Sequence, residues 1–146
     1  MRRPQVYDKA KWHHEGTYPQ ELPIEQVFVY TGLFLGWLVE QRLTSEEFEE
    51  DFGADLQRVR SGDLSGPAIY HIIDGAFVED MLSVDGNTFT QAYYVPPEGY
   101  PADFAALLCS GLPTAYHVLD TRENYQRLKA TIDQRFEAWR QATGQE

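Results

Sequence analysis

Four histidines and the acids around them are the residues whose types could do chemistry. Trp12-His13-His14-Glu15 sets two imidazoles beside a carboxylate, a combination able to bind a transition metal or pass a proton. Neighbouring positions point in different directions, so a metal site there would have to borrow His71 or His117 through the fold. No His-x-x-x-His or paired-cysteine spacing supports one. His71 with Asp74 and His117 with Asp120 each place an acid three residues after a histidine, on one helix face, where a carboxylate could orient an imidazole for general-base work. A nucleophile is missing. There is no Gly-x-Ser-x-Gly, and Cys109 ends the apolar run Phe104-Ala-Ala-Leu-Leu-Cys109, so it reads as a small buried hydrophobe. Structural or partner-contact roles are therefore favoured for the histidines, Asp120 is expected to cap a helix, and no catalytic residue, metal or cofactor is assigned.

Acids are the second group. Glu46, Glu47, Glu49, Glu50, Asp51 and Asp55 crowd one segment without the Asp-x-Asp-x-Asp-Gly spacing of a calcium loop, and they read as a solvated face able to meet a basic surface. Tyr93, Tyr94 and Tyr100, beside the Pro-rich loop, are expected to be partly exposed and to receive Arg or Lys side chains.

The elements that must position these residues are mainly helical. A central helix over about 24–43 opens at Pro23 and is apolar on most sides, with Gly32 and Gly36 on one face to admit a close neighbour. A second starts at Thr44 or Ser45, with acids in its first turn and a thin apolar stripe of Phe48, Phe52 and Leu56 that would hold only weakly to the core. Short helices are expected over 65–73 and 77–82 and from Ala102 to Cys109. Residues 87–95 fit either a strand of a short β-hairpin or a helix, because Phe89, Gln91, Tyr93 and Val95 alternate while Phe89, Ala92 and Tyr93 keep helical spacing. A C-terminal amphipathic helix over about 121–142 presents Tyr125, Leu128, Ile132, Phe136 and Trp139 on one face.

With 146 residues and 42% hydrophobic content, the chain can bury one sizeable core, so residues 1–146 read as a single compact domain. Its charge is local. Residues 15–103 hold 17 acids and three basic residues, a formal −14 within a net −11, which repels nucleic acid and anionic membranes and attracts a basic protein. Neither a signal-peptide core nor an apolar run long enough to span a bilayer is present, so a cytoplasmic monomer or small homo-oligomer is expected.

The pattern Tyr7-Asp8-x-Ala10-x-Trp12-His13, then Leu22-Pro23 and Thr31-Gly32-x-Phe34-Leu35-Gly36-Trp37-Leu38, resembles a family of small bacterial single-domain proteins of unknown function. Asp74-Gly75, Gly86-Asn87-x-Phe89 and Tyr125…Ile132-Asp133-x-Arg135-x-x-x-Trp139 continue the likeness. The resemblance implies a bacterial one-domain protein and leaves its activity open. By analogy with small acidic bacterial proteins, the leading expectation is an immunity or antitoxin protein whose acidic face covers the basic cleft of a cognate toxin. The alternatives are a metal-dependent hydrolase or other small enzyme using His13, His14, His71 or His117, and a regulator of another basic protein.

Overall fold

A computed structural model describes residues 4–144. Strand β1 (Val6–Lys9) runs straight into helix α1 (Ala10–Glu15); a 3₁₀ turn at Ile24–Phe28 leads into α2 (Val29–Glu40), followed by α3 (Glu46–Ser61) and α4 (Gly66–Ile72). Strand β2 (Ala76–Val78), a 3₁₀ turn at Glu79–Met81, α5 (Val84–Tyr93), α6 (Tyr100–Leu108), a 3₁₀ turn at Ala115–His117 and α7 (Arg122–Ala142) complete the chain. The domain is mainly α-helical.

Helix α2 is the centre, and its composition explains why. Every residue from Val29 to Val39 except Tyr30 is buried, so each face of the helix needs a neighbour. One face is bare backbone at Gly32 and Gly36, and there α4 packs: a Cβ built on Gly32 would lie 2.3 Å from Pro67 Cα, and one on Gly36 2.9 Å from Gly66 Cα. The opposite side holds an aromatic cluster in which Phe34 stacks on Tyr94 (ring centroids 4.9 Å apart) and meets Tyr100 at 5.1 Å, while Trp37 meets Phe136 edge-on at 5.3 Å. The Trp37 indole N–H donates to Asp133 of α7 at 2.8 Å, which satisfies the one polar atom of a fully buried ring.

Several sequence expectations change in detail. The central helix begins as a 3₁₀ turn over Ile24–Phe28, whose N-cap Pro23 makes no side-chain cap bond. Helix α3 is capped by Ser45, whose hydroxyl accepts from Phe48 N, and not by Thr44. It kinks at Phe52 (φ −130°, ψ 23°), next to Gly53. Its hold on the core is firm, because Val59 joins Phe48 and Leu56 in burial and Arg60 bonds the Val39 carbonyl at 3.0 Å. Residues 77–82 form β2 and a 3₁₀ turn instead of a helix.

The hairpin reading of 87–95 does not stand: these residues belong to α5 and its exit. Ser83 caps that helix through Gly86 N at 3.1 Å, and Gly86 lies so close to the Leu43 carbonyl that a Cβ would come within 2.3 Å. Strands β1 and β2 pair antiparallel instead, Val6 with Val78, Asp8 with Phe77 and Lys9 with Ala76, the register slipping between Val6 and Asp8. Such a slip re-aims the side chains around it.

Candidate functional site

The acids of α3 separate by environment. Glu46, Glu47, Glu50 and Asp51 are exposed. Glu49 is not available to a partner: Arg60 clamps it with bonds of 3.0 and 2.6 Å, and Thr44 donates to it as well. That clamp is the main cause holding the Glu49 carboxyl below its ordinary value. Asp55 lies 3.9 Å from Arg58, a loose surface contact.

Beside this helix, the Glu79–Met81 turn brings Asp80 towards Glu47 and Asp51. Together the three carboxylates rim a groove of about 260 Å³ floored by Phe48, Phe52 and Met81. An apolar floor with an acidic rim fits the side chain of Lys or Arg, whose stem is greasy and whose head is charged.

The tyrosines are elsewhere. Tyr93 and Tyr94 are each 5% exposed and Tyr100 is fully buried, so none of the three can anchor a partner as expected from their position beside the Pro-rich loop. Their burial follows from the helical conformation of 84–93, which turns both rings into the Phe34 cluster. Each hydroxyl then finds an internal acceptor: Tyr93 donates to Asp103 at 2.7 Å, Tyr94 to Asp8 at 2.7 Å and Tyr100 to the Tyr30 carbonyl at 2.6 Å. Asp103 is also held by Arg135 of α7 through bonds of 2.9 and 3.0 Å, so one carboxylate ties α5, α6 and α7 together.

The four histidines occupy four separate surroundings. His14 is exposed beside Tyr18, His71 stacks on Phe28 at 4.3 Å, and His117 meets Thr114 Oγ1 at 2.9 Å. Neither predicted pair forms: Asp74 sits in a left-handed turn (φ 64°) that leads the chain from α4 to β2, and Asp120 accepts from Ser65 Oγ at 2.5 Å while Thr121 caps α7. Among the described residues no three His, Cys, Asp or Glu side chains are grouped to hold a metal ion, so the metal-dependent reading has no donor set there. Cys109 is half-buried, and burial pushes its thiol up.

His13 is different, because of a residue that spacing arguments passed over. Asp8, only 8% exposed, accepts from His13 Nε2 at 2.7 Å and from Lys9 N at 2.9 Å on Oδ1, and from Tyr94 at 2.7 Å and Thr31 at 3.1 Å on Oδ2. Burial pushes the Asp8 carboxyl up, yet the bonds from His13 and Tyr94 outweigh it and hold the group below its ordinary value. With Nε2 engaged by a carboxylate, the second ring nitrogen, Nδ1, meets the Tyr116 hydroxyl at 2.9 Å. The signal was present in the sequence: Asp8 is the only acid among residues 1–14 and precedes His13 by five positions, a distance that a strand turning into a helix closes.

A small, mainly helical domain with an acidic groove on one side and a buried Asp–His–Tyr network on another is the class these features define. The chain belongs to the domain of unknown function DUF7832, whose family model matches residues 6–118. The matched span ends before α7, so the Tyr125–Trp139 stretch lies outside it. No curated protein and no solved structure matches the chain. No helix among the described residues is long and apolar enough to cross a membrane.

Proposed function

We propose that this protein binds a basic protein partner through the acidic groove between α3 and the Glu79–Met81 turn, in the manner of an immunity protein covering the basic active-site cleft of a bacterial toxin. One observation carries the reading: Glu47, Asp51 and Asp80 rim an apolar floor, and among the described residues none of the three is in an ion pair. Exposed Glu46 and Glu50 extend the field along the helix and steer the encounter. A cleft built for phosphate or nucleic acid carries the complementary charge.

Affinity purification from the native host at low salt, with mass spectrometry, identifies the partner, and association kinetics across a salt series then test the groove. The triple variant Glu47→Gln, Asp51→Asn, Asp80→Asn is expected to associate about 10-fold more slowly at low salt and to lose most of its salt dependence. Its thermal midpoint should barely move, because exposed carboxylates contribute little to stability. Failure to recover any basic partner, or unaltered association by the triple variant, overturns the reading.

A further inference from the structure

A pocket of about 390 Å³ opens where the β1–α1 junction, α2, the α5–α6 loop and the Ala115–His117 turn meet. That volume is typical of small-molecule sites. Four tyrosines, Tyr7, Tyr30, Tyr94 and Tyr116, line it together with Asp8 and His13. Among the described residues no Lys or Arg lines it.

Asp8 is the acid among the lining residues, hydrogen-bonded to the ring of His13. Two donors reach each Asp8 oxygen, which fills the usual acceptor directions, so the charge acts on an occupant as a field and not as an open hydrogen-bond acceptor. A metal ion, which needs oxygen ligands with free lone pairs, gains little from such a group. An anion is repelled by it. A bulky organic cation suits it, since such an ion sheds its water readily and is attracted both by the buried charge and by the negative faces of aromatic rings. Tyr30 adds a hydroxyl that has no hydrogen-bond partner among the described residues, and burial followed by the Asp8 charge keeps that phenol neutral.

We propose that this pocket binds an organic ammonium group, held by the Tyr30 and Tyr116 rings and the buried Asp8 carboxylate. The assignment is independent of the groove at α3 and of any protein partner. Tetramethylammonium and tetraethylammonium serve as probes, with uncharged 3,3-dimethylbutanol as the control of similar shape, each titrated into the full chain and followed by NMR. Both cations are expected to give saturable shifts at the His13 and Tyr116 resonances and to bind about 10-fold more tightly than the alcohol, the size of one or two cation–π contacts.

Tyr30→Leu should weaken the cations about 10-fold, whereas Tyr30→Phe, which keeps the ring, should retain most of the affinity. Tyr116→Leu provides a second removal of a ring face should the first variant fold poorly. Equal binding of the alcohol, cation shifts confined to α3, or the absence of saturable shifts around His13 overturns the proposal.

Discussion

Alanine at Gly66 is expected to cost about 3 kcal/mol of stability or more, lowering the thermal midpoint by about 10 °C, although the change adds a single methyl group. A Cβ there would lie 2.0 Å from the Gly32 carbonyl oxygen and 3.0 Å from Gly36 Cα. Both obstacles are backbone, so no side chain can swing aside, and α4 would have to lift from α2 along the packed contact around which the core is arranged. Gly53→Ala is the internal control. It lies within α3 with open space around its Cβ position, so alanine there should be neutral or stabilising by up to about 1 kcal/mol through its better helix propensity. Urea unfolding of the two variants separates the cases, and equal midpoints would show that the α2–α4 contact is softer than its geometry.

That contact is legible in the amino-acid order alone, because two glycines four apart on an otherwise apolar helix announce a close neighbour. The amphipathic stripe of α7 is equally plain, as is the acidic side of α3. What escaped was decided by residues distant in sequence. Asp8 and Tyr94 are 86 positions apart, Tyr93 finds its acceptor on the next helix, and β1 pairs with β2 about 70 residues away. No local period can report such partners. For 87–95 the local signal was evenly split, and the balance fell to helix through the Ser83 cap and the tight seat of Gly86 against Leu43.

Tyrosine placement failed for a related reason. A phenol beside a Pro-rich loop reads as surface unless its hydroxyl has a buried acceptor, and Asp8, Asp103 and the Tyr30 carbonyl are acceptors that only the fold supplies. Glu49 shows the converse: in sequence it is one more exposed acid, yet an arginine 11 residues on removes it from the binding face.

Asp8→Ala should be the most damaging polar substitution in the chain, at about 3–5 kcal/mol near pH 7, because it strips four donors of a shared acceptor in a largely buried site. The loss should depend on pH with a definite sign. Because the folded protein holds the Asp8 carboxyl below its ordinary value of 3.8, the ionised group stabilises the fold at all pH above that value, and this share disappears as pH falls through the lower folded value. Asp103 and Glu49, also held low by their arginines, weaken both proteins alike in acid and cancel from the comparison. Denaturant unfolding of wild type and variant at about pH 7 and again at about pH 2 should therefore show a gap that narrows in acid. A gap of constant size would mean that Asp8 matters through its shape alone. In that case the fold would hold the ionised carboxylate no better than the unfolded chain does, and the bonds from His13 and Tyr94 would not outweigh the cost of burying it.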